Sequence, residues 1–119
     1  MSYKTIDLLN EREMKLLNIL KGNVKEKYTV LVKIRLSEFL YSTQTEGSDA
    51  FYDEFQAVNL VTIPFAIFDM AENKLAAIVY FSDNDFEAKS LLEMYNVPCI
   101  EISAFRDVLI SESLAKYMK

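Results

Sequence analysis

Histidine is absent from this 119-residue chain, and cysteine occurs once, as Cys99. Without imidazole there is no Ser-His-Asp hydrolysis, no histidine general base and no zinc site built on histidine. One cysteine closes no internal disulfide and builds no Cys-cluster metal site. Glycine and proline occur twice each, so tight turns are few and most of the chain belongs to regular elements. No apolar run is long enough to span a bilayer. The opening Met1-Ser2-Tyr3-Lys4 lacks the apolar core of a signal peptide. Basic charge is scarce too: 13 Lys and Arg stand against 18 Asp and Glu, for a net charge of -5. Phosphate binding wants clustered Lys and Arg, so nucleic acid is not the default partner. A lone cysteine fits a reducing compartment. The expectation is a cytoplasmic protein with no membrane association and no cofactor.

What is present is ordinary for a folded domain. Hydrophobic residues make up 51% and charged residues 26%, which excludes disorder as the default. The length predicts one domain over residues 1–119, large enough to bury a core without disulfides or a structural metal.

The first element reads as a helix over about residues 10–21. Asn10 is a good N-cap and Glu13 has capping-box spacing. Met14, Leu16, Leu17, Ile19 and Leu20 make an apolar stripe, and Gly22 offers a stop. Tyr28 to Leu36 reads as a strand, with Val30, Val32, Ile34 and Leu36 on one face and Lys33 and Arg35 on the other. Ser37 caps a short helical turn. Residues 42–49 are polar and read as a loop, which Phe51, Tyr52 and Phe55 dock back by a helical turn. Leu60–Asp69 and Lys74–Phe81 read as strands joined by the hairpin connection Met70–Asn73. Both are nearly continuously apolar, which predicts burial on both faces. Pro64 cannot donate to a ladder, so it marks an edge or a bulge. Asp83 or Asp85 starts the next helix, with Phe86, Leu91, Leu92 and Tyr95 toward the sheet. Val97–Ile102 is a fourth strand, and helical segments close the chain. The order predicts an α/β (α+β) fold, a central mixed four-stranded sheet flanked by helices.

That order resembles the αβββαβ core of the restriction-endonuclease-like, or PD-(D/E)XK, superfamily. Leu8 to Glu13, Val32 to Leu40, Ile63 to Ile67, Ala77 to Phe81 and Asn96 to Ile100 occur in sequence and narrow the resemblance. Together they look like the bacterial family called domain of unknown function 2726, over roughly residues 8–105. In that family the second strand carries a Val-Asp-Phe-like motif and the third an Ile-Glu-Leu-Asp-like motif. A histidine often follows. Such carboxylates would hold a divalent metal that activates water and stabilises charge on a scissile phosphate. Here the resemblance aligns the first aspartate with Pro64, the glutamate with Val79 and the second aspartate with Phe81. The histidine position falls near Asp85. The resemblance therefore implies the fold and removes its chemistry: a degenerate nuclease-like domain, with no catalytic or metal-binding residues.

Three functions compete. The first is a non-catalytic module that binds or regulates a protein partner, in a nucleic-acid-related process by analogy of fold. The second is a metal-dependent nuclease with a rearranged site at Asp83 and Asp85, with Asp69, Glu11 and Glu13 as further acids. Surface carboxylates are mostly solvated or capping, which weighs against it. The third is a nucleic-acid-binding remnant using Lys33 and Arg35, set against snorkelling stems on an exposed face. Cys99 reads as a small buried apolar residue, not a nucleophile.

Overall fold

The computed structural model describes residues 2–119. Helix α1 (Glu11–Asn23) begins at a reciprocal cap. The Glu13 N–H donates to Asn10 Oδ1 at 2.8 Å, and the Asn10 N–H donates to Glu13 Oε1 at 2.9 Å. Two of the helix's orphan donors are thereby satisfied. The helix runs past Gly22, which has open space around its Cα, and ends at Val24. Leu16 and Leu20 are its buried residues, while Met14 is exposed.

The remaining elements are β1 (Tyr28–Arg35), a 3-10 turn (Leu36–Glu38), α2 (Asp49–Asn59), β2 (Thr62–Asp69), β3 (Lys74–Phe81), α3 (Lys89–Met94), β4 (Cys99–Ile102), α4 (Asp107–Ile110) and α5 (Glu112–Ala115). The sheet order is β1-β2-β3-β4. The first three strands are antiparallel, and β4 lies parallel to β3 after the α3 crossover. The sheet is thus mixed, four-stranded and flanked by helices, as the sequence predicts. Among the described residues no helix is long and apolar enough to cross a membrane.

The near-continuous apolar runs of β2 and β3 are covered on both sides. One core joins Leu16 and Leu20 of α1 to Phe65, Ile67, Ala77, Val79, Ile100 and Ile102 of the sheet, with Val108, Leu114 and Tyr117 from the C-terminal segments. The other joins Leu36, Val58, Ile63, Ala66, Ile78, Tyr80, Leu92 and Cys99. Cys99 is buried, and burial pushes its thiol up to about 11. A protonated, covered thiol is a poor nucleophile.

Several local readings change. Ser37 does not cap the short helical turn: it lies inside the 3-10 turn Leu36–Glu38, which has no side-chain cap hydrogen bond. Leu36 does not share a face with Val30: it belongs to the second core, Val30 to the first. The cause is Lys33, which is left-handed (φ 52) in mid-strand and breaks the period-two alternation. Opposite it stands Pro64, between the pairs Val32↔Phe65 and Ile34↔Ile63. Pro64 is therefore on no edge strand. It sits at an irregularity of the β1–β2 ladder, just before β2 begins to pair with β3 at Phe65. The aromatic segment after the polar loop is a full helix, α2, capped by Ser48 Oγ, which accepts from the Phe51 N–H at 3.1 Å. Finally, α3 starts at Lys89, so neither Asp83 nor Asp85 caps it, and Tyr95 is exposed rather than turned to the sheet.

Replacing Leu16 by alanine should cost about 2–5 kcal/mol in urea unfolding, because the site is fully enclosed. Gly22→Ala should instead add up to about 1 kcal/mol, since its backbone is helical and a methyl meets nothing. A destabilised Gly22→Ala chain would contradict this account of the helix end.

Candidate functional site

The resemblance places metal-binding carboxylates at Pro64, Val79 and Phe81. Val79 is fully buried, paired with Phe65 across the ladder, and part of the core beneath α1. Phe81 packs at the margin of the same core. Its ring meets Phe65 edge-on at 6.2 Å and Phe105 edge-on at 6.2 Å. Edge-to-face pairs of this kind let the positive rim of one ring approach the negative face of the next.

A guanidinium closes the stack. Arg12 of α1 places Cζ 3.7 Å from the Phe81 ring centroid. The same group donates to both carboxylate oxygens of Asp83, at 2.5 and 2.7 Å. A planar fork suits both tasks, because it binds a carboxylate bidentately and lays its flat face on a ring. One turn on, Lys15 holds Nζ 4.6 Å over the Phe105 ring. The three-residue spacing puts Arg12 and Lys15 on one helix face, over two aromatic rings in contact. A cleft of about 320 Å³ remains, lined by Arg12, Phe81, Ser82, Asp83, Ser103, Ala104 and Phe105.

This donor set does not fit a divalent cation. Pro64, Val79 and Phe81 carry no side-chain oxygen. The nearby carboxylate, Asp83, has both oxygens committed to Arg12, which holds it below the usual carboxylate range. Asp85 is exposed in the turn that follows. Asp69 lies at the other end of β3's partner strand, roughly 25 Å away at about 3.3 Å per residue. There it accepts from the Ala71 and Glu72 N–H groups at 3.0 Å each and pairs with Lys27 at 3.4 Å. Glu11 is exposed, and Glu13 belongs to the helix cap. Among the described residues no three His, Cys, Asp or Glu side chains converge.

Lys33 and Arg35 contact different elements. Lys33 Nζ donates to the Leu8 carbonyl at 2.5 Å and lies 3.8 Å from Glu13. Arg35 Nη1 donates to the Asn59 carbonyl at 2.9 Å, at the end of α2. Each fastens a flanking segment to β1.

With this geometry in place, the comparison with known families is direct. Residues 5–110 match the family described as "Protein of unknown function (DUF2726)". The chain belongs to that family. No curated protein and no solved structure matches it. In this DUF2726 chain, sequence reasoning missed Arg12, Lys15 and Phe105. The basic pair at helical spacing was a usable signal, whereas the partners Arg12 and Asp83 stand 71 positions apart and leave no local trace.

Three aspartates are held ionised: Asp69 chiefly by the Glu72 N–H, Asp83 by Arg12, and Asp107 by the Ala104 N–H. Their pKa values are lowered by folding. Their contribution is therefore whole above the unfolded value near 4 and is lost as pH falls through the folded values. Acid titration of stability should show a decline setting in below about pH 4, shallower in Asp69→Asn. A flat profile there would contradict the assignment.

Proposed function

We propose that this DUF2726 chain has a restriction-endonuclease-like fold without the chemistry of that superfamily, and acts as a non-catalytic module that binds a protein partner. The observation that carries the reading is the packing at Val79 and Phe81. Where the resemblance expects carboxylates, the chain has an apolar and aromatic stack under the Arg12 guanidinium. A fixed guanidinium beside the site opposes a second cation by Coulomb repulsion. Three further observations support the reading. The antiparallel β1-β2-β3 unit followed by a parallel β4 agrees with an αβββαβ core, with α2 as an insertion. Asp83, which follows the stack at the end of β3, has both carboxylate oxygens engaged by Arg12. A net charge of -5 suits a protein surface of opposite sign better than a phosphate backbone. Association with a nucleic-acid-related process rests on analogy of fold alone.

The test has two arms. Incubated with single- and double-stranded DNA and RNA and with Mg²⁺ or Mn²⁺, the protein should cleave nothing above an Asp83→Asn/Asp85→Asn control. Captured from its native host with and without nuclease treatment, it should bring down the same protein from both lysates. Metal-dependent cleavage lost in the control would overturn the reading in favour of a rearranged nuclease. Recovery of nucleic acid, or of proteins only from untreated lysate, would overturn it in favour of a nucleic-acid-binding remnant.

A further inference from the structure

The second face of the sheet carries more aromatic surface than its core uses. Helix α2 buries Val58 but leaves Tyr52 55% and Phe55 37% exposed. Tyr41, on the approach to α2, is 63% exposed, and Tyr95, at the end of α3, is 59% exposed. Phe51 ties the cluster together. Its ring stacks on Phe55 at 6.3 Å and meets Tyr41 edge-on at 5.5 Å. Beside the cluster a mainly apolar cavity of about 340 Å³ opens between α2 and α3, lined among others by Tyr41, Val58, Leu91 and Tyr95. It has room for one large apolar side chain, the kind of anchor that dominates helix-in-groove recognition.

The charge around this cavity has one prevailing sign. No lysine or arginine occurs between Arg35 and Lys74. Within that stretch Glu46, Asp49, Asp53 and Glu54 are all exposed on α2 and its approach. Glu54 itself lines the cavity. Two of these acids also order the rim: the Tyr41 hydroxyl donates to Glu46 at 2.8 Å, and the Ser42 hydroxyl donates to Glu54 at 3.2 Å. Helix α3 adds one charge of each sign, Lys89 and Glu93. Such a field repels phosphates and anionic lipid and draws in lysine and arginine.

We propose that the α2 face is the docking groove for a basic amphipathic protein segment, which seats one large apolar side chain in the cavity and sets lysine or arginine beside Asp53 and Glu54. This deepens the interaction-module reading and rests on it.

The chain has no tryptophan, so a tryptophan in a peptide can be excited alone. The probe is a short amphipathic lysine–leucine peptide with one central tryptophan, titrated into the full chain. Tryptophan emission should move to the blue, and amide shifts should concentrate on α2, Tyr41 and Tyr95. Binding should weaken with added salt, and the same peptide with glutamate for lysine should not bind. Asp53→Lys with Glu54→Lys should weaken binding about tenfold or more, and Ala57→Phe, which fills the cavity from its lining, should do the same. Both variants should still unfold cooperatively, because these positions are exposed and the charge reversal removes only the Ser42–Glu54 hydrogen bond at the rim. Absent binding, shifts centred elsewhere, or affinity unchanged by both variants would overturn the proposal. A concentration-dependent dimer that uses these residues and dissolves on charge reversal would also overturn it, assigning the face to a second copy. The wider reading fails separately. If a host protein is captured equally by the parent and Ala57→Phe chains, this groove is excluded and the module stands.

Discussion

The structure depends on the β2–β3 hairpin being apolar on both faces. A ribbon with Phe65, Ile67, Ala77 and Val79 on one side and Ala66, Ile78 and Tyr80 on the other is unstable in water unless both sides are covered. Every other element answers that demand. Helix α1 and the C-terminal segments close one side, and the 3-10 turn, α2 and α3 close the other. Strands β1 and β4 extend the sheet so that the hairpin is flanked on both edges.

The same demand bears on function. A carboxylate placed at Val79 or Phe81 would face the core beneath α1, where an unpaired charge is costly without a metal to neutralise it. Valine and phenylalanine remove that cost and add packing. Arg12 then covers the outer ring and pairs with Asp83, so the margin of the site is polar outward and dry inward. Functional sites usually sacrifice stability for chemistry. Here the packing runs the other way: Val79 is fully buried and Phe81 meets two further rings.

Much of this was legible in the sequence because its signals were local. The Asn10–Glu13 cap and the β3 boundaries follow from short-range patterns. The β1 face switch was not legible, since lysine has no preference for the left-handed conformation that Lys33 adopts opposite Pro64. Helix α2 was underestimated because it buries chiefly Val58, so its stripe is thin, although Ser48 and the spacing of Phe51, Phe55 and Val58 are a cap and a stripe in retrospect. Asp83 stood beside Asp85 as a start for α3, because its true partner, Arg12, lies far away in sequence. Membership of the DUF2726 family was readable from ordered motifs, whereas the aromatic and guanidinium stack needed three-dimensional placement.

The central claim is that the ground between α1 and the end of β3 holds no divalent cation. Paramagnetic broadening by Mn²⁺ in amide spectra tests it most directly. The account predicts weak, unsaturable broadening spread over exposed carboxylates, with the amides of Val79, Phe81 and Asp83 no more affected than the rest. Saturable broadening centred on Phe81, Asp83 and Asp85, competed away by Mg²⁺, would contradict it.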